Sequence, residues 1–312
     1  MNGCGRPGVR RLGIVALLAA SLVMGVGACR ESEETDRSVA IPDEKHPYSV
    51  FLGEELGLVD YAFLKVRNRC LADNGFPQNL RIMLDRPGNP FAHFIVSART
   101  LGPTSETEAR RIGFGYDQPA KPAAVVSFDP NYDKALERCS ERAWGRLGED
   151  AEQVYESYFD LGNKLGEPLW GMIDDRMDRA MPGKLMACLT GKGYRIPQRE
   201  KFLRRPNPRE IGVRIGMPDG GPAARWVPPR IPGTVQVGPP GTARRYQAPP
   251  AEGALAVAWL QCRESTGFTA HQLAVAAEVQ RELVGKYEDV LAELNPRVQR
   301  VAREATALIG SA

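Results

Sequence analysis

The chain has 312 residues, with 41 Lys and Arg against 38 Asp and Glu, a formal charge of +3 and 43% hydrophobic residues. Residues 1–28 carry three Arg and no acid, so the rest of the chain is close to neutral. The basic balance therefore gives no reason to expect a nucleic-acid partner. The 3 histidines are scattered and the 6 cysteines include no Cys-x-x-Cys, which argues against a zinc site and against a vicinal redox pair.

The first 28 residues read as an export leader. Arg6, Arg10 and Arg11 precede an apolar run from Leu12 to Val26, which is shorter than the roughly 20 residues a membrane span needs. Val26-Gly27-Ala28-Cys29 closes the run in the form of a lipobox. This predicts cleavage before Cys29, lipidation of its thiol and attachment to the outer face of the cell membrane. One acyl chain binds membranes only marginally, whereas a diacylated cysteine gives a stable anchor. Residues 29–52 are polar and rich in acids, and are expected to be a flexible tether.

Leu56, Val59, Phe63 and Val66 recur at steps of three and four, which predicts a helix over 54–74 that includes Cys70 and ends at Gly75. Phe91 to Ala98 reads as a strand, with His93 sharing a face with Phe91 and Ile95. Ser105-Glu106-Thr107-Glu108 has the spacing of a capping box before a short helix ending near Gly113. Ala123 to Phe128 is a second strand candidate. Asp129-Pro130 then predicts a cap and the first turn of a helix to about Gly145 that carries Cys139.

Further helix is expected from Glu149 to about Leu165, and from beyond Pro168 to Gly191 with a break at Pro182-Gly183. Pro197 to Pro250 is dense in Pro and Gly. A hairpin over 211–227 around Pro218-Asp219-Gly220 is expected there, with a weaker strand at Thr234 to Val237 and Trp226 as an anchor into the core. Residues 195–250 hold ten Arg and one Lys against three acids. Arg199, Lys201, Arg204, Arg205, Arg209 and Arg214 are candidate contacts for an anionic surface, the alternative being a solvated loop. Thr269 to Gln272 reads as a capping box. Leu273, Ala276, Leu283, Tyr287, Val290 and Leu294 form a stripe broken by Gln280, and Val298, Val301, Ala305 and Leu308 continue it. A helix pair, or one helix kinked at Pro296, is expected, its stripe packed within the chain or forming a coiled-coil seam.

Cys70-Leu71-x-x-x-Gly75-Phe76 matches Cys188-Leu189-x-x-x-Gly193-Tyr194, and Cys139-Ser-Glu matches Cys262-Arg-Glu. The first pair is separated by 118 residues and the second by 123. Near-equal offsets predict an internal duplication with disulfides Cys70–Cys139 and Cys188–Cys262. Each bridge closes a loop of about 70 residues, worth ~4 kcal/mol on chain entropy. The expected architecture is mainly α with small β hairpins, α+β being the alternative. It has two helical repeats, over 53–165 and 166–312.

Catalytic signatures are missing from the sequence. There is no nucleophile elbow, phosphate-binding glycine loop or zinc-protease helix. Gly113-Phe114-Gly115-Tyr116 reads as a turn, and Asp174, Asp175 and Asp178 as a charged surface with Arg176 and Arg179. No catalytic residue, metal or cofactor is assigned.

The lipobox, the two Cys-Leu-x-x-x-Gly-aromatic units, the string Glu108 to Tyr116 and Ala256 to Cys262 together resemble a set of secreted lipoproteins of actinobacteria, notably streptomycetes. The resemblance covers most of residues 53–312. Its motifs are structural, and no agreed activity is attached to that set. It departs at Cys139, preceded here by Arg138 where the set usually has Gly. The resemblance implies a mainly helical envelope lipoprotein with two disulfides. The expected role is a non-enzymatic interaction or structural protein of the cell envelope, meeting an anionic wall polymer or a membrane protein complex. A solute-binding lipoprotein serving a transporter and an exported hydrolase are the alternatives.

Overall fold

The structure is a computed structural model that describes residues 46–82, 87–219 and 226–310. The leader, Cys29, most of the expected tether and the 220–225 part of the expected hairpin lie outside the described residues.

Helix α1 (Gly53–Asp73) buries Leu56, Val59, Ala62, Phe63, Cys70 and Leu71. It stops at Gly75, which takes φ +92°, and Phe76 N–H donates back to the Leu71 carbonyl. That pattern satisfies the last carbonyls of a helix and needs a residue free of Cβ strain at the left-handed position. Helix α2 (Glu106–Ile112) starts where Ser105 Oγ accepts from Glu108 N–H. Helix α3 (Pro130–Leu147) starts at Asp129, whose side chain accepts from Asn131 N–H. Cys139 on α3 is bonded to Cys70 on α1.

Helices α4 (Ala151–Gly166) and α5 (Leu169–Arg176) follow. The expected break at Pro182 falls earlier, at residues 177–179. Helix α6 (Ala180–Gly191) runs through Pro182, because a proline in the first turn has no intrahelical donor to lose. Helix α6 ends as α1 does. Gly193 takes φ +89°, Tyr194 N–H donates to the Leu189 carbonyl, and Cys188 is bonded to Cys262. Cys262 lies on α8 (Pro250–Ser265), which follows the short α7 (Arg199–Arg204). The repeated string thus gives the same cap and the same bridge twice, but a duplication of the whole segments is not shown.

Helices α9 (Phe268–Lys286) and α10 (Glu288–Gly310) complete the chain. The expected capping box at Thr269 does not form. Gly267, at φ +71°, precedes α9, with no side chain capping it, and Thr269 lies inside the helix. The two helices part at Tyr287, and Pro296 sits within α10. This break shifts the stripe, so Leu291 is buried and Val290 is exposed. Gln280 interrupts the apolar stripe as expected; it is buried and donates to the Phe94 carbonyl at 3.1 Å.

One core gathers α1, α3, α4, α5, α9 and α10 around Leu56, Leu147, Tyr158, Leu165, Ile173, Val279 and Val298. A second gathers α6, α7 and α8 around Leu185, Leu189, Phe202, Leu255 and Trp259, and α2 packs on α8. Helices α9 and α10, assigned by sequence to the second repeat, therefore finish the core of the first. The described residues belong to a single compact unit.

The strand expected at Phe91–Ala98 is instead a 3-10 turn, Ala92–Phe94, followed by irregular chain. Phe91 and Phe94, three apart, lay their rings where a Cβ on Gly162 or Gly166 of α4 would collide with them. A strand would point Phe91 and Phe94 to opposite faces. The local hairpin expected over 211–227 does not form among the described residues, and the small antiparallel hairpin that is present joins distant segments. Strand β1 (Val125–Ser127) pairs antiparallel with the distant β2 (Val235–Val237), Val126 opposite Gln236. Residues 212–217 are irregular, and Pro218 bridges to Tyr246. Trp226 covers Gly238 rather than entering the helical core.

The last part of the expected tether is folded. His46 caps the 3-10 turn Pro47–Val50, and buried Tyr48 donates from its hydroxyl to the Leu165 carbonyl at 2.7 Å. Tyr158 on α4 accepts from Leu52 N–H at 2.7 Å and donates to Asn295 Oδ1 at 2.6 Å. Asn295 then donates to the Val50 carbonyl at 3.0 Å. Among the described residues no helix is long and apolar enough to cross a membrane.

Replacing Tyr158 by Phe leaves Leu52 N–H and Asn295 without their shared partner, and a lost buried hydrogen bond costs about 1–3 kcal/mol. Urea unfolding of Tyr158→Phe should show that loss with an unchanged slope. A loss below about 0.5 kcal/mol would mean water replaces the hydroxyl.

Candidate functional site

The basic segment expected to meet an anionic surface is built on α7. Phe202 is fully buried, which fixes the short helix and turns its other residues outward. Arg199, Lys201, Arg204, Arg205, Arg209 and Arg214 are all exposed. Lys201 pairs with Glu210 at 2.8 Å and Arg205 with Asp174 at 3.3 Å. In both pairs the cation is exposed and the carboxylate is partly buried. The other four cations make no ion pair among the described residues. Burial, together with neighbouring Asp175, raises the Asp174 carboxyl above its ordinary range, while Arg205 opposes the shift. Asp178 Oδ1 accepts from Ala180 N–H and Arg176 pairs with Glu282. The acidic cluster is thus a set of helix-end and surface contacts.

Two clefts stand out among the described residues. The first, about 290 Å³ including its mouth, is lined by Tyr48, Phe51, Phe91, Phe94 and Leu165. Its walls are the rings that pack over Gly162 and Gly166. The second, about 380 Å³ including its mouth, lies between the 98–104 segment, the end of α8 and the start of α9. Ala98, Pro103, Trp259 and Leu260 form its apolar walls, and Thr104, Arg263, Glu264 and Thr269 supply polar groups. Neither cleft joins carboxylates from both halves of the chain.

Arg263 is only 7% exposed. Its guanidinium donates to the Leu101 carbonyl at 2.5 Å and to Gln272 Oε1 at 2.9 Å. It also stands 5.5 Å from the Phe268 ring centre, and its Nε has no hydrogen-bond partner among the described residues. Burial lowers its pKa to about 10.

Two further ionisable groups, one buried and one half-buried, were not singled out by the sequence. Glu252 sits in the first turn of α8, is fully buried, and accepts from Phe114 N–H at 2.8 Å and Gly216 N–H at 2.7 Å. The Tyr246 hydroxyl donates to it at 2.8 Å, and burial followed by this carboxylate pushes the phenol up to about 12. A helix N-terminus favours a carboxylate. Here it serves to fasten the 113–116 turn and the 212–219 segment to α8. Gly113, at φ +54°, leaves space that a Cβ would take from this carboxylate. The other group is Asp60 on α1, within reach of Arg67 and of the Tyr155 hydroxyl. Burial raises the Asp60 carboxyl, against the pull of Arg67 and Tyr155. Tyr155 is pushed to about 12, first by burial and then by Asp60. Arg67 lies over the Phe63 ring at 5.0 Å, and Trp144 stacks on the same ring at 4.2 Å.

His93 leans on Phe94 in the 3-10 turn, His46 Nε2 meets the Val96 carbonyl at 3.1 Å, and His271 Nε2 accepts from Asp178 N–H. Among the described residues no three His, Cys, Asp or Glu side chains gather to hold a metal ion. The fold and these features define a mainly helical, two-cystine protein carrying a basic ridge and an arginine-lined cleft. No protein-family model, curated protein or solved structure matches the chain.

A carboxyl whose pKa is raised by folding stabilises the protein fully below its unfolded pKa, and that stability is lost as pH rises through the folded value. Asp60→Asn should therefore make the fall in stability between about pH 3 and pH 7 shallower. Thermal unfolding across that range measures it. An unchanged profile would show that Arg67 neutralises Asp60 in full.

Proposed function

We propose that the protein is an extracytoplasmic lipoprotein, held at the cell membrane by diacylated Cys29, that acts as a non-enzymatic interaction protein of the cell envelope. Its ridge over Arg199, Lys201, Arg204, Arg205, Arg209 and Arg214 meets an anionic wall polymer. The observation that carries the reading is the density of cations: six exposed within residues 199–214, on a helix and loop fixed from beneath by buried Phe202, with Lys201 and Arg205 paired to acids. Cations clustered on one face raise the local concentration of a polyanion without needing a shaped pocket. The lipobox supports the location, since a lipid-anchored body works within reach of the wall. A second reading, capture of a small ligand, is favoured by the cleft beside Arg263.

Cys29→Ala should release the protein from the cells into the medium, read by fractionation and immunoblot. Retention on the cells would contradict the anchor. The purified protein should co-sediment with anionic wall polymer at low salt and dissociate as salt rises. Exchanging Arg199, Arg204, Arg209 and Arg214 together for Gln should weaken that binding about tenfold or more. Binding that ignores both salt and the exchange would remove the ridge from the account.

A further inference from the structure

We propose that the cleft lined by Arg263, Trp259 and Thr269 binds the carboxylate end of a small ligand whose apolar part rests on Trp259, Leu260, Ala98 and Pro103. This inference rests on the second reading above and is independent of the basic ridge and of the lipid anchor.

The first argument is charge. A guanidinium removed from water is costly unless an opposite charge or a full set of acceptors compensates it. Arg263 is 7% exposed, and both of its acceptors, the Leu101 carbonyl and Gln272 Oε1, are neutral. An arginine offers five N–H donors; two meet these acceptors, and Nε is among those left. The lowering of its pKa has burial as its only cause, with no carboxylate acting against it. The group is thus held in place, desolvated and short of a counter-charge. A bound anion would supply one.

The second argument is the helix end. Helix α9 has 19 residues and begins at Gly267 with no side chain capping its first N–H groups. Thr269, its second residue, lines the cleft. Free N–H groups at a helix start favour a negative group. Together with the buried Arg263 on the same cleft, whose acceptors are both neutral and whose Nε lacks one, they converge on one preference.

The third argument is size and charge balance. The enclosed part of the cleft is only water-sized, so it admits no bulky polyanion and a ligand would lie mainly in the open mouth. One guanidinium balances a single charge, and its planar edge matches a carboxylate. Glu264 stands exposed at the cleft and the Glu108 carboxylate is engaged by Thr104 N–H and Oγ1. Both acids oppose a doubly charged phosphate more than a singly charged carboxylate. The walls are mostly apolar, as small-molecule sites are.

The test uses the full-length chain in detergent, with sodium benzoate, neutral benzamide and inorganic phosphate as probes. The chain has 4 Trp, and the Trp259 indole N–H resonance is assigned by its loss in Trp259→Phe. Benzoate should shift that resonance saturably, at least about tenfold more tightly than benzamide or phosphate, because a charge-assisted hydrogen bond is at stake. Arg263→Gln should weaken benzoate binding by a similar factor while the other three indole signals stay in place. If Arg263→Gln does not fold, the comparison of benzoate with benzamide on the unaltered chain decides. Equal binding of benzoate and benzamide, tighter binding of phosphate, or no shift up to about 10 mM benzoate would each overturn the proposal.

Discussion

The hydroxyl of Tyr158 is the point on which the helical body closes. It accepts from Leu52 N–H and donates to Asn295, which donates in turn to the Val50 carbonyl. Three segments far apart in the chain, 46–52, α4 and α10, thus share one chain of hydrogen bonds built on buried Tyr158. Burial raises the pKa of this phenol, so it keeps its proton and can donate. A polar group placed here without partners would oppose folding by about as much as a satisfied one favours it. The register of the whole first core depends on getting this junction right.

Around that junction the packing is driven by apolar area. Helix α10 lays Leu291, Leu294, Val298, Val301, Ala302 and Ala305 inward, and its main neighbour is α1. The α1 helix is then held from a third side by the cystine to α3. The second core repeats this device, with α6 tied to α8 by the other cystine. In each case the bonded cysteine lies one turn before a left-handed glycine, so the bridge fixes a helix at the end that would otherwise fray. The sites inherit their rigidity from this frame. Arg263 follows Cys262 directly, and Phe202 seats the basic ridge on the α6–α8 core.

What could be read from the sequence was short-range. The two caps need only a cysteine, a leucine and a glycine within six residues, and both formed, with the expected bridges. Asp129-Pro130 and Ser105 marked helix starts because capping is a contact over two or three residues. Phe91 to Ala98 misled because alternate apolar residues are compatible with a strand, whereas Phe91 and Phe94 are placed by two glycines on α4. The partner of β1 could not be read, since β2 lies more than a hundred residues away. Thr269 has the letters of a capping box, yet Gly267 takes the left-handed turn that starts the helix two positions earlier than such a box requires. The basic ridge was visible as composition. The Arg263 cleft and the Asp60–Arg67–Tyr155 cluster were not, because burial and proximity across helices leave no mark in one sequence.

The central claim is that the first and last helices of the body form one cooperative unit closed at Tyr158. Native-state hydrogen exchange tests it most directly, since amides that open only in global unfolding report a common free energy. The account predicts that the buried amides of α1, α4 and α10 exchange with one shared, highest protection. An α10 that exchanges orders of magnitude faster than α1 would show that it docks on a core already complete without it, and would contradict the claim.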